Sequence, residues 1–510
     1  MEGRLRRAEE DARLKERIEA VTAIAREMGL DFFPMRYHII PADVMLAIGA
    51  SGMPTRFSHW QFGKAFYRMK LHYDLGLSKI YELVINSDPC EAFLYEGNSL
   101  LQNTVIVAHV LAHSDFFKNN VYFSRTNRRM VDSMAASAER IRRYEIAYGE
   151  RRVEAFLDAA LSIQEHIDPY GTARETGFWW EDADAFYDAA VVGSDRRIEG
   201  SDRQGEAGSA EAPARGDGRV GGGDPPGKKR RWGLFVDLWA LDERLSGNDG
   251  KRSGAGGAEA EPPARRHFPP EPEKDVLLFI LRFSTALEPW QRDILTIVHD
   301  EMRYFWPQLE TKIMNEGWAT YWHRKIMQAL PLSPEEAIEF ARMHAEIVKP
   351  YPGGINPYLL GWKMFEAIEA KSGREGMFEA RELDNDVSFI RNHLTEEVVR
   401  ELDLFVYGRK DDVWQVETTD WTAVREALIR QRIGGGFPII VVADGDFERR
   451  GELLLRHVHD GPELDIRSIE QTLPHVHRLW GRPVHLETVL EGRPVRFSYD
   501  GIRHDRNVLA

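Results

Sequence analysis

The stretch Ser99-Leu100-Leu101-Gln102-Asn103-Thr104-Val105-Ile106-Val107-Ala108-His109-Val110-Leu111-Ala112-His113-Ser114-Asp115-Phe116-Phe117 decides how this chain is read. It is apolar over most of its length, which predicts a helix buried on nearly every side. His109 and His113 stand four residues apart, so they share a helix face with their Cβ atoms about 5–6 Å from each other. That spacing lets two imidazoles converge on one metal ion. Gln102, Ile106 and Asn120 fall near the same stripe. Burying two histidines in such a run is costly unless each finds a partner. A partner is expected in Asn315-Glu316-Gly317-Trp318-Ala319-Thr320-Tyr321-Trp322-His323.

Composition bounds the rest. A chain of 510 residues suggests two to four domains, and 43% hydrophobic residues with 13 Trp, 25 Phe and 16 Tyr suffice for a large core. The net charge of −15 argues against general nucleic-acid binding. The single cysteine, Cys90, excludes an intramolecular disulfide and any multi-cysteine zinc site, and reads as a small buried residue. The charged start Arg4-Leu5-Arg6-Arg7 has no apolar signal region, and no apolar run reaches the roughly 18 residues of a spanning helix. A cytoplasmic protein with no integral membrane segment is expected.

The expected architecture is a mostly α-helical main domain with a small C-terminal α+β domain. Residues 1–193 form the N-terminal helical part that carries the histidine helix, and residues 80–97 supply two short strands, or a strand and a loop, before that helix. Residues 194–272 are a Gly/Pro/Ala-rich insertion expected to be disordered. Within it lie a basic run, Lys228-Lys229-Arg230-Arg231, and an apolar island from Trp232 to Trp239. Residues 273–385 continue the helical domain and carry the Glu316 segment. Residues 386–510 form the α+β domain, with a helix over 420–432, a strand over 438–442, a turn at Asp444-Gly445-Asp446, a strand over 452–459, and a hairpin around Glu491-Gly492. Gly434-Gly435-Gly436 lacks the Lys-Ser/Thr of a phosphate loop.

Several blocks together resemble the stage V sporulation protein R (SpoVR) family: Arg56-Phe57-Ser58-His59-Trp60, Tyr81-Glu82-Leu83-Val84-Ile85-Asn86, Ala108 through Asn120, Asn315-Glu316-Gly317-Trp318-Ala319, Asn356-Pro357-Tyr358-Leu359-Leu360-Gly361 and Leu479-Trp480-Gly481-Arg482-Pro483-Val484. The resemblance implies a bacterial cytoplasmic protein linked to spore cortex formation. It also implies two partners, a serine protein kinase and a von Willebrand-type domain protein. Glu316-Gly317-Trp318-Ala319 further resembles the downstream glutamate segment of gluzincin-like metallopeptidases, which implies a gluzincin-like core. On that likeness His109, His113 and Glu316 are metal ligands, for zinc in the first place and iron in the second.

A zinc peptidase helix of that type carries a general-base Glu after its first histidine, and here that position is Val110. Ordinary endopeptidase chemistry is therefore not expected. Metal-dependent hydrolysis of an amide or peptidoglycan-related bond is, with Glu301 or His323 as candidates to handle protons. Arg56, His59 and Asn120 are candidates for binding substrate, since Arg can clamp a carboxylate or phosphate. His344 is a weaker candidate ligand, and Asp115, off the histidine stripe by about 120°, a candidate for orienting a neighbour. His457 and His459 alternate on one strand and could share a face. The alternative reading is a non-catalytic regulator or scaffold, for which Val110 and the apolar island at 232–239 speak.

Overall fold

The computed structural model describes residues 2–74, 82–171, 268–350, 354–410, 413–459 and 461–509. The insertion expected over 194–272, except its last few residues, lies outside the described residues, as do the basic run, the apolar island and residues 172–193.

The chain begins with α1 (Glu2–Glu27), β1 (Met35–Ile40), α2 (Ala42–Ser51), α3 (Trp60–Asp74), β2 (Glu82–Ile85) and β3 (Cys90–Tyr95). The two strands expected over 80–97 are β2 and β3. They join β1, which the sequence did not single out, in a sheet of order β1-β3-β2, with β1 parallel to β3 and β2 antiparallel to it. Cys90 is fully buried and donates to the Ile85 carbonyl; burial pushes its thiol up to about 11, so no thiolate nucleophile is available.

The histidine stretch is α4 (Leu100–Asn119). Its start is fixed by a capping box in which Ser99 Oγ accepts from the Gln102 N–H and the Gln102 side chain accepts from the Ser99 N–H. The helix ends because Asn120 leaves helical geometry, at ψ 133°. Along one side Ile106 and Val110 pack with Ala92 and Leu94 beneath the sheet. Elsewhere Val105, Leu111 and Phe116 belong to the main core with Trp318, Met364 and Phe365. No face is left for water, as the apolar run requires.

Next come α5 (Met130–Tyr148), α6 (Glu150–Leu161), α7 (Val276–Phe283), α8 (Pro289–Glu310), α9 (Lys312–Ala329), α10 (Pro334–Ile347) and α11 (Pro357–Leu383). Helices α9 and α11 cross with their backbones in contact at Gly317 and Gly361. A Cβ on Gly317 would lie 2.3 Å from the Gly361 carbonyl carbon, and a Cβ on Gly361 would lie 2.1 Å from the Ile313 oxygen. Asp386, fully buried, accepts from the N–H groups of Ile313 and Met314 at 3.0 Å each and so caps α9 from a distant part of the chain.

Helices α12 (Asp386–His393), α13 (Glu396–Glu401) and α14 (Trp421–Arg432) follow, with the hairpin β4 (Val406–Lys410) and β5 (Val413–Thr418) between the last two. Their residues Phe389, Ile390, Val398, Val424 and Leu428 lie in the main helical core, so the chain from 386 to 432 belongs to that body rather than to a separate α+β domain. The C-terminal sheet unit starts later. Strands β6 (Ile440–Phe447), β7 (Glu452–His457), β8 (Val484–Leu490), β9 (Arg493–Tyr499) and β10 (His504–Val508) form a sheet of order β10-β9-β8-β7-β6. Helix α15 (Ile466–Trp480) joins its buried face to Val442, Leu455 and Leu486, and this core runs on into α6, α7 and α8. The hairpin around Glu491-Gly492 is present, both residues at positive φ, as a two-residue turn of this kind requires.

Asp444-Gly445-Asp446 is not a turn but lies inside β6, where the register slips; the chain reverses beyond it, at Glu448 and Arg449, both at positive φ. His459 falls beyond the end of β7, so the strand-face pairing with His457 does not hold, although the two rings meet edge to face.

His299 on α8 illustrates how these layers are tied. Its Nε2 lies 2.9 Å from Asp275 Oδ2, and Asp275 also caps α7 through the Leu278 N–H. Burial pulls the imidazole down, but the hydrogen bonds to Asp275 and Asp300 outweigh it and raise the ring to about 9. A raised histidine stabilises the fold fully below its unfolded value near 6.5 and loses that contribution as pH rises through 9. The stability gap between wild type and His299→Gln is therefore expected to close by on the order of 2–3 kcal/mol between pH 6 and pH 9.5. Urea midpoints across that range check it, and a gap that stays constant with pH contradicts it.

Candidate metal centre and its cavity

Helix α4 supplies His109 and His113, and α9 supplies Glu316. One ligand atom from each of the three lies within 4.8 Å of the others, and both histidines are buried. Glu316 Oε2 is 3.7 Å from His109 Nε2 and 3.6 Å from His113 Nε2. These separations are too long for direct hydrogen bonds. They are close to the spacing of about 3.3–3.5 Å between two ligand atoms that share a tetrahedral ion at bond lengths near 2.0–2.2 Å.

The outer nitrogens are committed in a way that leaves Nε2 facing the carboxylate. His113 Nδ1 donates to Asn315 Oδ1 at 2.8 Å, which puts its lone pair on Nε2. His109 Nδ1 lies 2.9 Å from His323 Nδ1, and His323 Nε2 lies 3.1 Å from His344 Nδ1. One tautomer set satisfies the whole row, each ring donating outward to the next. Burial, with His109 adding to it, holds His113 down to about 4 against the pull of Glu316 and Asn315. Burial first, then His109 and His344, holds His323 well below its ordinary value. Burial pushes the Glu316 carboxyl up, but the two imidazoles and Lys312 outweigh it and keep it below its usual range. A His113 ring held low by burial beside a carboxylate kept below its usual range offers the lone pair and the charge that a cation needs.

His113 and Glu316 open onto a cavity of about 520 Å³. Its wall includes Arg56, Glu165, Gln308, Lys312, Phe117 and Phe305. Besides Glu316, Glu165 is its one acidic lining residue among the described residues, and burial raises its carboxyl while Arg56 acts to lower it. Glu165 lies past the end of α6 in Gln164-Glu165-His166 and belongs to no recognisable spacing, so nothing in its sequence context marks it. Lys312 at the first turn of α9 was likewise not singled out.

The other expected site residues fall elsewhere. Glu301 does not line this cavity; its Oε2 accepts from Arg56 Nε at 2.7 Å, and the pair is almost wholly buried. Arg56 does line it, but Nε is taken by Glu301, Nη1 by the Ser51 carbonyl, and the guanidinium lies over the Phe62 ring. His323 stands behind His109 and does not reach the cavity wall. His344 is one ring further out and is not part of the three-residue cluster. His59 is buried against Asp158 and Phe62, away from the cavity. Asn120 offers nothing to a ligand: its amide nitrogen donates to the Arg381 and Asp384 carbonyls and its oxygen accepts from the Tyr122 N–H. Asp115, expected to orient a histidine or an asparagine, contacts no histidine but does accept from Asn119 Nδ2 at 3.3 Å. It accepts from the Asp31 N–H, Trp318 Nε1 and Arg381 Nη1, and so ties α4 to α9 and α11.

The model of the family described as "SpoVR like protein" matches residues 9–436, and that of the "SpoVR-like C-terminal domain" matches residues 438–491, a range that begins where the five-stranded unit does. A protein of Escherichia coli (strain K12), named "Uncharacterized protein YcgB", is 29% identical over 513 residues, which cover 92% of this chain and 90% of the relative. No solved structure matches the chain. No helix among the described residues is long and apolar enough to cross a membrane.

Proposed function

This chain belongs to the SpoVR family, and from that premise we propose that it is a metal-dependent hydrolase acting on an amide or peptidoglycan-related bond, through a gluzincin-like site made of His109, His113 and Glu316. The observation that carries the reading is the convergence of these three side chains beside a cavity that His113 and Glu316 line. Three protein ligands with no fourth among the described residues is the pattern of a catalytic site, where one position stays open, rather than of a structural one. The donor set, two imidazoles and a carboxylate, suits zinc first and iron second. A divalent ion held there would supply Lewis-acid polarisation of a carbonyl and a water of lowered pKa.

The chain's own residues do the rest. Val110 is packed under the sheet and has no proton to exchange. Glu165, a carboxyl raised by burial on the wall of the same cavity, takes the general-base role instead. Lys312 sets positive charge on the wall, where a polar or anionic substrate would be oriented, while the charge of Arg56 is met by Glu301. His323 and Asn315 fix the tautomers of the two ligating rings.

Elemental analysis of protein purified without a metal-affinity step tests this. Wild type is expected to carry close to one zinc per chain, and His113→Ala or Glu316→Ala close to none. His323→Ala is expected to keep the site but weaken its affinity by about 10–100-fold. Metal-free wild type that also fails to take up added zinc would overturn the proposal. It would favour the second reading, a non-catalytic scaffold for a serine protein kinase and a von Willebrand-type protein, which the loss of the base at Val110 supports. Tightly bound iron with visible absorbance would point to redox chemistry.

A further inference from the structure

A second cavity, of about 630 Å³, lies where the C-terminal sheet meets the helical body. Its wall is built by β6, β7 and β8, by α15, by the turn after α6 and by the end of α14. Among the described residues it shares only Phe437 with the cavity of the candidate metal centre. Phe437 also stands between the two stretches that the family models match, residues 9–436 and 438–491. Nothing in the proposed hydrolysis uses this space.

The buried part of the wall is apolar: Ile163, Val276, Leu455, Leu473, Val476 and Leu486 are each at most 4% exposed. Two imidazoles interrupt it. His457, 3% exposed, spends Nδ1 on Thr488 Oγ1 at 2.9 Å. Its Nε2 has no hydrogen-bond partner and, unlike the sealed polar atoms elsewhere in the protein, keeps accessible surface. The backbone of His166 is tied to Ile163 and Leu277, but its ring makes no hydrogen bond, and its nitrogens too stay accessible. Burial, then His459 and His166, holds His457 down to about 4, so the two rings of the cavity lie within electrostatic reach of each other. Burial alone holds His166 down to about 4.

Both rings are therefore neutral at pH 7.5, and that selects the occupant. An anionic group in the buried part would meet no cation. The rings take up a proton only near pH 4, and Arg430, the one cationic lining residue besides them among the described residues, is exposed. A cationic group would meet no acid there either. Glu463 and Asp465 are exposed and engaged, Glu463 by the Glu491 N–H and Asp465 by the Ser468 N–H at the start of α15. A plain hydrocarbon would seal both imidazoles in without a partner, which is costly. A hydroxyl both donates and accepts, so it suits Nε2 in either tautomer, as the Thr488 hydroxyl suits Nδ1. The volume, and a mostly apolar wall with a few polar groups, are those of a small-molecule site.

We propose that this cavity binds an uncharged, largely apolar small molecule bearing a hydroxyl group, its body against Leu455, Leu473 and Val476 and its hydroxyl hydrogen-bonded with His457 Nε2. The assignment does not depend on the metal reading.

Calorimetric titration of the full chain at pH 7.5 with 4-hydroxybiphenyl and with biphenyl-4-carboxylate tests it. The two probes share an apolar body and differ in charge. 4-Hydroxybiphenyl is expected to bind with Kd below about 100 µM, and the carboxylate at least about tenfold more weakly. Thr472 is half-buried on α15 at the cavity wall, so Thr472→Trp puts an indole into the space and should cost the hydroxyl probe at least about tenfold in affinity. His457→Phe keeps an aromatic ring and removes its nitrogens, and should weaken the same probe about tenfold, the worth of one buried hydrogen bond. Absence of saturable binding to wild type, equal affinity for the two probes, or unchanged affinity in either variant would each overturn the assignment.

Discussion

Gly317→Ala is expected to destabilise this protein by more than about 3 kcal/mol, and to empty the candidate metal centre along with it. The added methyl group would sit 2.3–2.4 Å from the carbonyl carbon and Cα of Gly361 and 2.8 Å from the Trp362 nitrogen. Carbon atoms in contact prefer about 3.5–4.0 Å, and every atom in the way is backbone, so no side chain can turn aside. The helices α9 and α11 would have to part by more than an ångström. Glu316 precedes Gly317 directly, so the carboxylate moves with the helix. Gly63 in α3 is the control: nothing lies within 4 Å of a Cβ built there, and Gly63→Ala should leave stability unchanged or raise it by about 0.5–1 kcal/mol. Equal urea midpoints for Gly317→Ala and wild type would refute the argument.

Asp115→Ala comes next in size, at about 3–5 kcal/mol. Asp115 is fully buried, and its two oxygens accept from Asp31 N–H at 2.7 Å, Trp318 Nε1 at 2.9 Å and Arg381 Nη1 at 3.0 Å. Burial raises its carboxyl to about 6, against the pull of Arg381 and the donors, so it is ionised at pH 7.5. Removing it leaves the guanidinium of Arg381, 7% exposed, buried without a counter-charge. Adding Arg381→Met should recover part of the loss, because the stranded charge goes with it. Additive losses in the double variant, read from denaturant unfolding, would show that the two residues are not coupled.

The readable parts of the sequence were those in which local spacing and burial coincide. The apolar run at 99–117 was legible as a buried helix because no polar face exists for another structure to use. His109 and His113 were legible as a pair because four residues make one turn, and Glu316 because its segment resembles one seen beside such pairs. What stayed hidden is what only tertiary packing decides. Glu165 reaches the cavity from a loop with no pattern. Asp386 caps a helix more than seventy residues earlier in the chain. Asn120 fell on the histidine stripe by arithmetic, yet the helix stops one residue before it, and its side chain turns to the Arg381 and Asp384 carbonyls. The boundary expected at 386 failed because the helices after it are short and polar enough to pass for a separate unit, while their few apolar residues complete the core of the main body. Helix α15 was not singled out, although Ile469, Leu473, Val476 and Trp480 keep helical spacing straight through Pro474.

The burial of α4 on all sides has a consequence for how the protein is made. His113 and its partner Asn315 are 202 residues apart in sequence. At a synthesis rate of about 5–20 residues per second, α4 leaves the ribosome roughly 10–40 s before α9 exists to cover it. For that interval a twenty-residue apolar helix with two histidines in it has, among the described residues, chiefly the small sheet, α1 and the Val121–Phe123 turn for company. The newborn chain is thus a client for holding chaperones at one identifiable segment, and slower elongation lengthens the exposure rather than relieving it. Supplying residues 268–509 in trans to a nascent N-terminal half, so that α9 is already waiting, is the change that would shorten it.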